Sequence, residues 1–311
     1  MSQLLSDLMP RRKDIWRCGI ALQPIEKIIA AGAILGPVSW IAEEPSFQFL
    51  ADPFGFRDED GRLHVFAEHY DYRTRHGTIE KLLFDDRMHL IDRRQCLREP
   101  WHLSYPQVFA AEGATWMLPE AHRSGVLTLY RDHGGLVDWR PECRIDLDCI
   151  PVDATILHRD RRWWLFYSPA TSKLTKLSHL HVAWAESLCG PWTSHPANPV
   201  HIDRRSARPG GRAIDLNGKI MLPVQDCAAT YGGAVRPLWI NYLDERRFEA
   251  VAGDPLQMPA DAGNYGAGMH SLTACGDVTL FDVKRIDASI SGLTLDLNRR
   301  VGRFRQGSPG Q

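Results

Sequence analysis

A recurrence of short strands is what most constrains this chain. Five stretches, starting near Asp52, Ser104, Asp153, Arg208 and Met269, each run into an apolar strand, pass through a turn and return as a second strand. Their starts lie 52, 49, 55 and 61 residues apart. The first reads "ADPFGF", then the turn "RDEDGR", the alternating strand "LHVFAEHY" and a further strand, "GTIEKLLF". The others are "SYPQVFAAEGATWMLPEAHRSGVLTLYRD", "PVDATILHRDRRWWLFYSPA", "ARPGGRAIDLNGKIMLPVQDCA" and "GMHSLTACGDVTLFDVKRID". Within the fourth, "DLNGK" is a strong hairpin signal. Such a period suits one four-stranded propeller blade per repeat. A β-sandwich also has many short strands, but it supplies no reason for the same punctuation in each repeat. The expected fold is all-β, a five-bladed β-propeller with a short N-terminal helical segment.

That helical segment is "QPIEKIIAAGAI", Gln23 to Ile34, where Ile25, Ile28 and Ile29 recur three to four apart. Residues 1–44 read as an N-terminal segment that helps to close the ring, and 45–311 as the propeller. At 44% hydrophobic and 24% charged, the chain can bury a sizeable core. Lys plus Arg is 37 against 38 for Asp plus Glu, so no general attraction to nucleic acid or anionic lipid is expected. No run approaches the roughly 18 apolar residues of a membrane span. In "MSQLLSDLMPRRKDIW" the basic cluster follows a very short apolar piece, the reverse of a secretory signal, which points to the cytoplasm. The 7 cysteines are scattered and odd in number, and are expected as reduced thiols, mostly packed in the core.

In a propeller the innermost strands all run beside the central axis, so residues at their entrances converge on one channel mouth. Asp52, the Ser104 to Pro106 group, Asp153, Arg208 with Gly210, and His270 should therefore surround one pocket. Asp is a poor strand residue, and the alternative reading of Asp52 alone is a turn cap. Glu68, Glu120, Gln225 and Asp226, on the second strands, should form a further layer.

Several motifs resemble known blades. "ADPFGF", "VDATILHRDRRWWLFYS" and "ESLCGPWTSHPANPV" are similar to the five-bladed propeller superfamily containing family 43 glycoside hydrolases and family 130 mannoside phosphorylases. More narrowly, "ADPFGF", "HLSYPQVF", "MLPE", "GPWTSHPANPV", "ARPGGR", "VQDCAATYGG" and "MHSL", in that order, resemble the N-terminal propeller domain of plant glucosamine inositolphosphorylceramide transferases and of some bacterial polysaccharide proteins. The resemblance spans roughly residues 45 to 285 and implies a carbohydrate site in the channel mouth. In family 43 a first-blade Asp acts as general base, a later Asp tunes pKa and orientation, and a Glu protonates the leaving oxygen. Asp52 matches the first by its "ADPF" context and Asp153 the second by "VDATI".

The third does not match. "ARPGG" stands where the acid Glu would be, and Arg208 holds its proton too strongly to act as an acid. Glycoside hydrolysis needs two carboxyl groups, one of them protonated, so either the acid has moved or the reaction has changed. Glu120, Glu68 and Asp226 are the candidate relocations. Glu120 is favoured, because Trp116, Met117 and Leu118 beside it should raise its pKa; the alternative is a buried structural hydrogen bond. If the reaction has changed, Arg208 offers a fork to phosphate oxygens, Gly210 and Gly211 let backbone approach, and His270 assists. Alternatively Arg208 simply pairs with Asp52 or Asp153.

His102 and Tyr105 are read as donors to sugar hydroxyls, with packing between blades as the alternative for Tyr105. Tyr231, with Gly232, is placed on the rim. One of Trp163 and Trp164 is core and the other at most a stacking platform. Asp282 reads as structural. No cofactor and no metal are expected: the single close pair, His179 and His181 in "HLH", shares a strand face at an outer position. Two functions remain. One is an enzyme acting on glycosidic bonds, by transfer or hydrolysis, with a saccharide or sugar-nucleotide substrate. The other is a non-catalytic glycan-binding propeller that assists a separate glycosyltransferase.

Overall fold

Each repeat folds as one antiparallel sheet whose strands pair in chain order, and the sheets form a ring of five blades. The computed structural model describes residues 12–306. Blade I runs outward from Gln48–Arg57 through Leu63–Asp71 and His76–Phe84 to Leu90–Leu97. Blade II comprises Ser104–Ala111, Ala114–Glu120, Leu127–Asp132 and Trp139–Ile145. Blade III follows with Pro151–Arg159, Arg162–Pro169, His179–Ala185 and Thr193–Ser194. In blade IV, Arg208–Pro209 and Ile214–Leu216 share the inner place beside Lys219–Asp226, followed by Ala234–Leu243 and Phe248–Ala252. The hairpin read from "DLNGK" is present, with Asn217 and Gly218 both left-handed at φ 54° and 83°.

Blade V joins the two ends of the chain. Leu272–Cys275 and Val278–Asp287 form its inner half, while Lys13–Ala21 and Val38–Trp40 supply the outer half. Lys13–Ala21 pairs with Val278–Asp287 continuously from Lys13↔Asp287 to Ala21↔Thr279. Within residues 1–44, read from the sequence as a segment that helps to close the ring, Lys13–Ala21 and Val38–Trp40 are strands of this blade. Residues 1–11, with most of the N-terminal stretch discussed above, lie outside the described residues, as do 307–311.

The expected helix spans Ile25–Ala31, entered from extended Pro24 and ended by left-handed Gly32 at φ 67°. A second, longer helix, Ile290–Gln306, was not expected, although Ile290, Leu293, Leu297, Val301 and Phe304 recur at helical spacing. It is anchored at its start, where Lys13 Nζ donates to Gly292 O and to Asp296 Oδ2, each at 2.9 Å.

The core is divided among the seams between neighbouring blades. Phe66 and Val108 pack between blades I and II, Phe109 and Leu165 between II and III, and Phe166 and Leu222 between III and IV. Met221 with Phe281 joins IV to V, and Ile20 with Val65 joins V to I. Every seam of the ring therefore has its own apolar cluster, which a sandwich would not produce. Trp163 and Trp164 point into different seams, and both are buried.

One cysteine expectation is overturned. Cys143 on the outer strand of blade II is bonded to Cys189 after the third strand of blade III, so two of the seven cysteines form a disulfide that staples one seam. Sequence separation of 46 residues hid the pair. Cys18, Cys96, Cys227 and Cys275 are free and buried, and Cys149 is free and half-buried.

Candidate functional site

Blades I to III enter the axis through the same backbone irregularity. On the inner strands the pairing register slips by one residue between Ala51 and Phe54, between Ser104 and Gln107, and between Val152 and Thr155. The extra residue is a β-bulge, which re-aims the side chains around it. At its centre Asp52, Tyr105 and Asp153 have φ of 49°, 48° and 49°. Asp is among the few non-glycine residues that tolerate this left-handed region. That answers why an Asp sits at the head of a strand: the bulge accepts it, and it turns the carboxylate toward the axis.

The inner strands and their neighbours line a cavity of about 390 Å³ at one mouth of the channel. From the expected set it gathers Asp52, Glu68, His102, Glu120, Asp153, Arg208, Tyr231 and His270. Three expected residues are elsewhere. Tyr105 is fully buried, its hydroxyl donating to Gly211 O at 2.8 Å and accepting from Gly211 N at 2.6 Å, so it ties blade II to blade IV as the packing alternative required. Gln225 lies behind the cavity, donating to Asp153 Oδ2 at 2.9 Å and to Pro209 O at 2.8 Å. Asp226, one residue further along the strand, faces the other way and pairs with Arg236 at 2.9 Å. It is Gln225, in register with Arg208, that occupies the place of Glu68 and Glu120.

Gly210 and Gly211 do not face the cavity either. A Cβ at Gly211 would stand 1.9 Å from Leu272 O, and one at Gly210 would stand 2.6 Å from His270 O. Their lack of a side chain lets blade IV close against blade V, rather than letting backbone approach a phosphate.

Two charge networks organise the floor. In the first, Asp282 Oδ1 accepts from His270 Nδ1 at 2.7 Å and from the backbone N–H of His270 and of Ser271, both at 3.1 Å. Its Oδ2 accepts the backbone N–H of Asp52 at 2.9 Å. Despite full burial, these donors hold the Asp282 carboxyl below its usual range. With the proton fixed on Nδ1, His270 turns Nε2 toward Asp52 Oδ1 at 3.4 Å, and its ring stacks on Trp16 at 3.7 Å. Burial alone would push the imidazole down, but Asp282 and Asp52 together raise it. Asp52 itself is pushed well up by burial, against the pull of His270. The ligand atoms of Asp52, His270 and Asp282 lie within 4.8 Å of one another, close enough for a metal site. Asp282 itself is tied to both neighbours by N–H donors from His270, Ser271 and Asp52.

In the second network Arg208 Nε donates to Asp153 Oδ2 at 2.7 Å, and Arg208 Nη1 donates to Lys176 O at 3.1 Å. Its guanidinium also lies over the Tyr231 ring at 5.1 Å. Arg208 therefore pairs with Asp153, one of the two pairings considered. Burial pushes the Asp153 carboxyl up in spite of Arg208.

The two glutamates of the opposite wall behave oppositely. Glu120 was expected to be raised. Burial does act in that direction, but His122 donates to it through both its backbone N–H, at 3.1 Å, and its ring, and the carboxyl is lowered overall. Glu68 has no such partner: the nearby His102, whose Nε2 stands 3.5 Å away, is itself pushed down to about 4 by burial. Burial, followed by the charges of Glu120 and Asp153, raises Glu68 well above the usual range. Burial and its carboxylate neighbours thus drive Glu68 toward its protonated form, while His122 draws Glu120 toward its ionised form.

Trp16, Lys176 and His122 were missed because they reach the cavity from a blade V outer strand, a short helix and a turn, outside the strand-head pattern. Lys284 was missed as well. It is wholly buried behind Trp16, donating to Asp14 Oδ2 at 3.1 Å, to Thr230 Oγ1 at 3.3 Å and to Tyr231 O, and so holds the Tyr231 loop on the rim.

Comparison with known proteins bears on this geometry. The profile of the N-terminal domain of glucosamine inositolphosphorylceramide transferase 1 matches residues 16–271. The protein of that name from Arabidopsis thaliana is 34% identical over 207 residues, covering 65% of this chain and 27% of the plant protein. Its counterpart from Oryza sativa subsp. indica is 33% identical over 207 residues, covering 65% and 28%. The match thus takes in less than a third of either plant protein. Among solved structures, the GH43_1 enzyme from Xanthomonas citri complexed with xylotriose superposes with a TM-score of 0.57 at 14% identity, over 86% of this chain and 91% of that one. At that identity the likeness concerns the fold, a glycoside-hydrolase-like propeller.

Proposed function

The chain belongs to the family of N-terminal domains of glucosamine inositolphosphorylceramide transferases, and from that premise we propose that it acts on glycosidic bonds in glycan or polysaccharide metabolism, at the axial cavity. The observation that carries the reading is the opposed state of carboxyl groups in one cavity, Glu68 driven toward its protonated form and Glu120 toward its ionised form. Separated carboxyl pKa values are how a single site supplies both a proton donor and a negative charge.

In this mechanism Glu68 protonates the leaving oxygen. Asp52, which faces His270 Nε2 at 3.4 Å, accepts the proton of the attacking hydroxyl or water. His270, oriented by Asp282, donates from Nε2 toward Asp52 and steadies its charge. Asp153 and Arg208 bind substrate hydroxyls or an anionic group, beside a wall to which Trp16 and Tyr231 contribute. The substrate is a saccharide or sugar nucleotide. The name of the plant relatives makes glucosamine-bearing donors the first to try, and a glycosyltransferase is the natural partner.

A second reading, a glycan-binding domain without turnover, is favoured by one feature. Arg208, ion-paired to Asp153, occupies the strand head where the family 43 resemblance calls for the acid.

The test is a turnover screen of aryl glycosides and sugar nucleotides with wild type, Asp52→Asn and Glu68→Gln, alongside calorimetric binding of the same compounds. The enzyme reading expects turnover to fall at least about a hundredfold in both variants while binding persists. Saturable binding with no turnover by wild type would establish the binding domain instead.

A further inference from the structure

Away from the axis, the loop that leads from blade II into blade III meets the third strand of blade III. There Asp148, Cys149 and His181 each bring one ligand atom to within 4.8 Å of the others. We propose that this trio is a Zn²⁺ site, with Cys149 Sγ, a ring nitrogen of His181 and an Asp148 carboxylate oxygen as protein ligands and water completing a tetrahedron.

The donor chemistry selects the ion. A thiolate and an imidazole disfavour Mg²⁺ and Ca²⁺, which take oxygen ligands, and suit Zn²⁺, for which Cys, His and Asp are all ordinary ligands. Three further observations support the assignment. His181 Nδ1 is shielded from solvent and lacks any hydrogen-bond partner, a cost that coordination through that nitrogen would remove. Cys149 is the one free cysteine, among the described residues, that is not fully buried, so an ion can reach it. Asp148 is oriented from behind, its Oδ1 accepting from the Tyr167 hydroxyl at 3.0 Å, the kind of outer hydrogen bond that supports a metal-binding carboxylate.

The surroundings are rigid enough to hold such geometry. Tyr167 is fully buried in the seam between blades II and III. Ala170 N donates to Ile150 O at 2.8 Å, fixing the loop directly after Cys149. The Cys143–Cys189 disulfide staples the same seam and leaves Cys149 without a thiol partner. The "HLH" pair does not act as two ligands: His179 Nδ1 bonds Ser178 Oγ at 2.9 Å, and His181 alone joins the cluster. Binding forms a Zn–S bond and releases the thiol proton to solvent, with no change of oxidation state.

Cobalt(II) is the probe, because thiolate coordination gives it a near-ultraviolet charge-transfer band and tetrahedral geometry gives it intense visible bands. Chelator-treated full-length protein should bind about one equivalent with both signatures, and Zn²⁺ should displace it. Cys149→Ser should abolish the charge-transfer band, and His181→Gln should weaken binding by at least about tenfold, each with an unchanged far-ultraviolet circular dichroism spectrum. The Asp52–His270–Asp282 trio has no sulfur and cannot produce the charge-transfer band. Should either variant misfold, alkylation of wild type decides: Zn²⁺ must protect Cys149 from a thiol reagent, read by mass spectrometry. Absence of the band in wild type, its persistence in Cys149→Ser, or unprotected alkylation overturns the site.

Discussion

Glu68 and Glu120 stand on equivalent strands, in equivalent register, and differ because His122 follows one and not the other. A carboxyl whose pKa is raised on folding binds more protons folded than unfolded between the two values, so stability falls as pH rises through that interval. Glu68 and Asp52 both have this sign. Glu68→Gln should therefore leave the melting temperature unchanged near pH 3 and raise it near pH 8 by about 1–3 °C, measured by calorimetry across pH. An equal shift at both pH values would contradict the assignment. Asp282 has the opposite sign: its stabilisation is present above the unfolded carboxyl pKa and is lost as pH falls through its lowered folded value. Arg208→Met strips the buried Asp153 of its partner and should cost about 3–5 kcal/mol by denaturant titration, while Arg208→Met with Asp153→Leu should recover much of that. Of this chemistry, Asp52, Asp153 and Arg208 were legible because each stands at the start of a repeated sequence motif. The protonation states were not, since they depend on neighbours such as His122 and His102 that enter from turns.

Strands and turns were the most readable elements, because period-two alternation and left-handed turn residues act locally. The bulges were not readable, for a one-residue slip leaves no compositional mark; only the recurrence of Asp-Pro, Tyr-Pro and Asp-Ala at strand heads hinted at them. Tyr105 shows the consequence, a residue in the same backbone position as two site aspartates whose longer side chain crosses to Gly211 instead. Tyr105→Phe leaves Gly211 N–H buried without its partner and should lower stability by about 1–3 kcal/mol, with little effect on saccharide binding. Loss of binding out of proportion to stability would return Tyr105 to the site. The Cys143–Cys189 pair escaped sequence reading because partners in a seam are chosen by blade packing. Cys143→Ser should cost about 2–4 kcal/mol relative to the oxidised protein, read as a lower melting temperature that reductant no longer changes.

At the scale of the whole molecule, the ring closes by borrowing Lys13–Ala21 for blade V, so the seams of blade V with blades IV and I need the first and last strands to meet. The same closure sets Trp16 against His270 and builds the cavity from residues 14 to 270 of the chain. Sequence periodicity carried the number of blades, whereas the length of the closing strand and the C-terminal helix became visible only in three dimensions. The central claim is that this cavity receives a saccharide between Trp16 and the Asp52–Glu68 carboxyls. The most direct measurement is a crystal structure of Glu68→Gln with the tightest-binding saccharide of the turnover screen. Sugar density is expected in the cavity, in contact with Asp52 and with the substituted position 68; a saccharide bound on any other surface, with the channel mouth empty at saturation, would contradict that claim.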